Sequence, residues 1–181
     1  HPVMLATHLG HDARGQRITE LCSSEGVRLT AGSRSAERTS TALAHIDDAG
    51  HADYRFDFEF AVDPTVQPTP GGHVHTGSIA ATARGAHADL VTLLVDQRST
   101  QTISYDPNAR PALMGSLNEA RAKVELLVSL SDVVKASDED AAWLYPGVPL
   151  SDVLRNWARL GPAVVVATRG GAGALALVGG S

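Results

Sequence analysis

From about residue 73 to the end, short β-like runs alternate with helical periodicity, and that alternation limits the chain to a mainly parallel sheet. Val74-His75 reads as a short strand running into Thr76-Gly77-Ser78. Residues 86–94 read as a helix and residues 101–105 as the next strand. Residues 116–130 are the clearest helix: Ser116 and Glu119 have capping-box spacing, and Leu117, Ala120, Val124, Leu127 and Val128 share a face. A strand at 132–135, helices at 137–145 and 150–160, and strands at 163–168 and 174–178 complete the pattern. Parallel neighbours need crossovers, and crossovers run right-handed.

The first third reads differently. Residues 2–9 suggest a buried strand, and residues 12–25 a helix with Asp12 as N-cap and Gly26 as its stop. Ile18, Leu21 and Cys22 fall on one side of that helix, so Cys22 reads as buried filler rather than a nucleophile. Residues 39–47 and 52–60 read as a β-hairpin around the turn Asp48-Ala49-Gly50-His51. Tyr54, Phe56, Phe58 and Phe60 alternate, and an aromatic stripe of that kind needs a cover. Residues 63–72 hold three prolines and two glycines and read as a loop or hinge.

Composition removes several function classes. Net charge −5 with a pI near 5.9 argues against a nucleic-acid partner. The purest apolar run, residues 163–167, is far too short for a membrane span. A single cysteine permits no internal disulfide and suits a reducing cytoplasm. Strand-like runs stand at both ends of the chain, which reads as an interior piece of a larger protein.

Three segments hold the candidate chemistry. Tyr105-Asp106-Pro107-Asn108-Ala109-Arg110-Pro111 lies between a strand and a capped helix. Its prolines enforce a stiff turn. A carboxylate, an amide and a guanidinium at the carboxyl end of a strand suit an anionic ligand, since open α/β sheets bind there. The plain alternative is a capped turn with Arg110 paired to Asp106. Thr168-Arg169-Gly170-Gly171-Ala172-Gly173 is either an anion-binding nest or a strand-to-strand turn. It is neither a Walker A loop nor a dinucleotide fingerprint. Ser137 and Asp140 stand three apart at a helix start, where capping alone explains Ser137. Lys135, just before them, either reaches a phosphate or is simply solvated. His73 and His75 are the only close histidine pair, and no third ligand of suitable spacing follows, so a zinc site is not expected.

Taken with Leu9-Gly10-His11-Asp12-Ala13-Arg14-Gly15 and His75-Thr76-Gly77-Ser78, the ordered set D-P-N-x-R-P, K-A-S-x-x-D and T-R-G-x-x-G resembles the ribokinase/PfkB family of carbohydrate kinases, closest to its fructokinase-like branch. The resemblance covers nearly the whole chain. It implies a three-layer α/β/α, Rossmann-like sheet, with residues 1–26 and 61–181 in the α/β core and residues 27–60 as a small β-hairpin lid, whose aromatic stripe is expected to be covered by a partner subunit, making a homodimer, or by the sugar itself. It implies phosphoryl transfer from ATP, with Mg²⁺ as the metal, to a sugar hydroxyl, with fructose or a related ketose as first choice.

In that scheme Asp106, Asn108 and Arg110 face the sugar and the phosphoryl group, Arg110 being the catalytic cation. Lys135, Ser137, Thr168, Gly170, Gly171 and Gly173 lie along the nucleotide. The family's N-x-x-E is here Ser137 and Asp140, and the shorter carboxylate would reach the metal through water. The family's sugar-holding N-terminal segment and its G-A-G-D motif, which carries the general base, do not occur. The 181 residues alone are therefore expected to be inactive. A nucleoside or keto-deoxy-sugar kinase of the same fold stays open, as do a non-catalytic sugar- or nucleotide-binding module and an unrelated sheet protein.

Overall fold

The computed structural model describes residues 2–46, 52–63, 66–83 and 85–179. Its contacts divide the chain into two units, His1–Val66 and Gln67–Ser181.

In the first unit, β1 (Val3–Leu5), α1 (Ala13–Ser24) and β2 (Val27–Leu29) form a βαβ unit with parallel strands. β3 (Thr41–Ile46) and β4 (Ala52–Asp57) pair antiparallel. The turn expected at residues 48–51 lies outside the described residues. Asp12 joins the two parts. It caps α1 by accepting from Gly15 N at 2.9 Å, and it also accepts from Thr39 N at 2.7 Å and Thr39 Oγ1 at 2.8 Å. Thr39 Oγ1 in turn accepts from Gly10 N at 3.0 Å.

Two expectations for this unit need correction. The opening strand covers only Val3–Leu5, not residues 2–9. The apolar side of α1 is not a core face: Leu21 is 61% exposed, Cys22 is half-buried, and Gly15 is the helix's buried residue. Val3, Met4 and Leu5 are exposed as well. Whether a helix side is buried depends on what packs against it, which its own apolar pattern does not encode. The aromatic alternation does persist past the end of β4. Phe56, Phe58 and Phe60 are half-buried between exposed Arg55, Asp57 and Glu59. Phe58 and Phe60 stack at 6.0 Å, and Phe60 meets the ring of His8 edge-on at 6.3 Å. The side chain of Tyr54 lies outside the described residues.

The second unit is built on β5 (His73–Gly77), β6 (Thr102–Asp106), β7 (Val133–Ser137), β8 (Val164–Thr168) and β9 (Ala174–Val178). The sheet runs in that order, parallel from β5 to β8, with β9 antiparallel at one edge. The crossovers contain α2 (Ser78–Thr82) and α3 (His87–Gln97), then α4 (Pro111–Met114) and α5 (Leu117–Ser129), then α6 (Asp138–Leu144) and α7 (Leu150–Arg159). The Ser116–Glu119 capping box is present.

Strands added in one direction through right-handed crossovers put every helix on one face. Burial agrees: Ile103, Tyr105, Val134, Ala136, Val165 and Ala167 alternate with partly exposed neighbours. Val124, Leu127, Val128, Leu144, Leu154 and Trp157 fill the space above them. A residue of this kind stabilises by about 2–5 kcal/mol relative to Ala. Trp157 Nε1 donates to the Tyr145 hydroxyl, which donates to Glu125 Oε1, both at 2.8 Å, so the largest buried ring leaves no polar atom unpaired.

The Asp12 network predicts an acid-sensitive step. The Thr39 N–H, then the Gly15 N–H and the Thr39 hydroxyl, hold the Asp12 carboxyl at a pKa of about 2, below its ordinary 3.8. Its stabilisation is complete above pH 3.8 and is lost as pH falls towards 2. Acid unfolding followed by circular dichroism should show a stability loss in that window that Asp12→Asn lacks. Superimposable acid profiles for the two proteins would show that the network contributes nothing.

Candidate active site

Parallel strands laid side by side deliver all their strand-to-helix turns to one edge of the sheet. Here that edge gathers residues 77–78 after β5, residues 106–110 after β6, the start of α6 after β7, and residues 168–173 after β8. Four segments spread over nearly a hundred residues thus become neighbours.

The β6 turn is the most constrained. Asp106 Oδ1 accepts from Asn108 N at 3.1 Å, closing an Asx-turn, and Asp106 Oδ2 pairs with Lys135 Nζ at 3.0 Å. Lys135 therefore meets a carboxylate rather than bulk water, while its side chain stays 47% exposed. Arg110 does not pair with Asp106. Its Nη1 donates to the carbonyls of Asn108 at 3.2 Å and Ala109 at 2.8 Å, from an exposed position.

Asn108 holds φ at +36° and Ser78 at +52°, the two non-glycine residues with positive φ among those described. Ser78 Oγ donates to Asn108 O at 3.3 Å, so the two strained residues brace each other across neighbouring turns. Backbone strain of this kind costs about 1–3 kcal/mol and persists where its surroundings enforce it. Sequence reasoning gave Ser78 no role. The one signal was its place beside Gly77, where a Cβ would overlap the carbonyl oxygen of Asp106.

At the end of β7, Ser137 Oγ accepts from Asp140 N at 3.0 Å and Asp140 Oδ2 accepts from Ser137 N at 2.9 Å, a complete capping box. The other oxygen of Asp140 accepts from Ala109 N at 2.7 Å. Asp138, Glu139 and Asp140 fill the first turn of α6, where acidic side chains suit the helix dipole. Beneath, the Tyr105 hydroxyl has no partner. Burial first, and then the charges of Asp106 and Asp140, push its pKa far up, so it stays neutral.

The residues 168–173 are a strand-to-strand turn between β8 and β9. Arg169 N donates to Gly173 O at 2.7 Å, and Gly173 N to Gly170 O at 3.2 Å. Gly170 and Gly173 take positive φ, and the space beyond Gly170, Gly171 and Gly173 is open. Thr168 Oγ1 is turned to Ala136 O at 3.3 Å. A cavity of about 390 Å³ lies between Arg169, the start of α6 and the loop after it.

Among the described residues no group of three or more His, Cys, Asp or Glu side chains is arranged to hold a metal. His73 Nε2 and His75 Nδ1 both meet Ser104 Oγ, at 2.7 and 2.8 Å. Each oxygen of Asp140 accepts from one backbone N–H, which leaves acceptor positions that a metal-bound water could use. Gly77→Ala is expected to part β5 from β6 and to cost about 1–3 kcal/mol in urea unfolding. An unchanged midpoint would mean that the close approach is dispensable.

Known proteins place this architecture. The sequence profile of the pfkB family carbohydrate kinases matches residues 1–181. A fructokinase of Klebsiella pneumoniae is 28% identical over 185 residues, which cover 95% of this chain and 59% of that protein. The chain thus spans about three-fifths of that relative's length. The crystal structure of Vibrio cholerae O395 fructokinase in apo form superposes with a TM-score of 0.82 at 26% identity, covering 98% of this chain and 64% of that one. The form of that enzyme with fructose, ADP and calcium bound superposes with a TM-score of 0.77 at 23% identity, covering 98% and 60%. No described helix is long and apolar enough to cross a membrane. A profile match along the whole length of the chain makes it a member of the pfkB family of carbohydrate kinases.

Proposed function

We propose that this chain is the central part of an ATP-dependent sugar kinase that transfers the γ-phosphoryl group to a hydroxyl of fructose or a related ketose in the cytoplasm. The observation that carries this reading is the meeting of the Asp106–Asn108–Arg110 turn with Lys135, Ser137 and the turn at residues 168–173 on one sheet edge. Family membership and the fructose- and ADP-bound V. cholerae fructokinase support it.

Asp106 and Asn108 would hold sugar hydroxyls, and the left-handed Asn108 is already fixed for the purpose. Arg110, exposed and tied only to two carbonyls of its own turn, would swing to the phosphoryl oxygens as charge spreads over them. The open backbone at Gly170, Gly171 and Gly173, together with Thr168, would follow the nucleotide. ATP would bring Mg²⁺ as its substrate complex. The attacking hydroxyl needs a base. Asp106 is held by Lys135 and Asp140 by two backbone N–H groups, and the resembled G-A-G-D motif is absent from these residues.

ADP release with MgATP and a sugar panel tests the reading. The protein containing this chain should turn over with fructose, and residues 1–181 alone should be slower by roughly 10²-fold or more. Arg110→Ala should lower kcat at least roughly tenfold, or about 1.4 kcal/mol. No sugar-dependent ADP release by the intact protein would overturn the kinase reading. An unchanged kcat with a raised sugar KM would reduce Arg110 to a binding group.

We also propose that residues 27–60 act as the lid and pair two copies. Ile46 is 68% exposed on β3 and lies on the hairpin face that carries half-buried Phe56 of β4, the register pairing Ala42 with Phe56 and Ile46 with Ala52. A second copy covering that surface would remove apolar area from water at about 25 cal/mol per Å². Light scattering should report a dimer that Ile46→Glu dissociates; a strict monomer sinks the proposal.

A further inference from the structure

We infer that Asp140 is a positioning residue. Its carboxylate ties the turn at residues 106–110 to the start of α6 and so sets the substrate-facing groups against the nucleotide-facing ones. This role is distinct from the water-mediated metal contact that the resemblance implies, and it rests on the kinase reading above.

The geometry is specific. Asp140 is 8% exposed, and its two oxygens serve different strands' connections: Oδ1 accepts from Ala109 N at 2.7 Å, Oδ2 from Ser137 N at 2.9 Å. Between Pro107 and Pro111 the chain has only three N–H groups to offer. Asn108 N stays within its own turn, on Asp106, and Arg110 N points to Met114 Sδ in the helix that follows. Ala109 N is the one that reaches another connection, and it finds a carboxylate. Bonds from N–H to an ionised acceptor are about twice as strong as neutral ones. Ala109 sits between strained Asn108 and Arg110, so this bond fixes the direction of both neighbours. Capping α6 does not account for it. Glu or Gln at this helix position caps equally well, and the Ala109 contact adds nothing to the helix.

The test separates a clamp from a metal contact and from the kinase reading itself. Amide hydrogen exchange at Ala109, with Val134 and Val165 as core references, is measured in the protein and in Asp140→Asn and Asp140→Glu. Asn presents an amide donor to one of the two N–H groups, so Ala109 exchange should speed up at least roughly tenfold while the core amides stay protected. Glu keeps the capping box but moves the carboxylate, so it should preserve the melting temperature and still free Ala109. That variant decides the matter if Asp140→Asn does not fold.

In the sugar assay both variants should raise the sugar KM and lower kcat. The free Mg²⁺ needed for half-maximal rate at fixed MgATP should stay the same. Unchanged Ala109 exchange in both variants would overturn the clamp. So would a raised Mg²⁺ requirement with an unaltered sugar KM. An intact protein without sugar-dependent turnover would sink the kinase reading instead, and Ala109 exchange would still decide the clamp.

Discussion

Strand order is the constraint on which the rest depends. β5 to β8 are laid down one after another in a single direction, all parallel. Right-handed crossovers then leave the helices no choice of face, and the turns that enter them no choice of edge. One face is sealed by Ile103, Val134 and Val165 under α5 and α7, while the opposite face keeps His73, His75, Ser104 and Lys135 in partial contact with solvent. The same geometry brings Ser78, Asn108, Ser137 and Thr168 to one line. The site is thus a by-product of topology, and side chains only refine it.

The refinement is electrostatic and local. Each candidate group is held by a partner on a neighbouring strand or its connection: Asp106 by Lys135, Asn108 by Ser78, Ala109 by Asp140. Lys135 and Asp106 neutralise each other at 3.0 Å in a partly exposed position, where such a pair contributes at most about 1 kcal/mol. An incoming phosphate would therefore compete with Asp106 for Lys135 at little cost. Arg110 is similarly uncommitted, since its present partners are neutral carbonyls. The carboxylates are fixed and the cations are free to turn, an arrangement suited to an anionic group that arrives and leaves.

The α/β alternation was legible because periodicity reports burial directly. The Ser116–Glu119 and Ser137–Asp140 caps were legible because their spacing is fixed by one helical turn. The motif turns were legible through Pro107, Pro111 and the glycines, which restrict or release the backbone whatever surrounds them. What stayed hidden depends on partners distant in sequence. The exposure of Leu21 depends on what packs against α1, which a local apolar pattern does not encode. Lys135 is expected to end its strand but stands in the middle of β7, and its pairing with Asp106 is a matter of register. The positive φ of Ser78 carries no composition signal, because serine is not a residue that announces a left-handed turn.

Asp140 shows how a capping residue acquires a second use. A capping box asks for one oxygen directed back at the N-cap N–H, and a carboxylate has two. The spare oxygen faces away from the helix towards whatever the neighbouring strand presents. The parallel register sets β6 beside β7, so the turn after β6 passes that point. Pro107 removes one competing donor, and the Asx-turn at Asp106 occupies the next, which leaves Ala109 N as the group at hand. A helix cap and an inter-strand tether then become one interaction. Any loosening of the start of α6 is passed directly to Asn108 and Arg110.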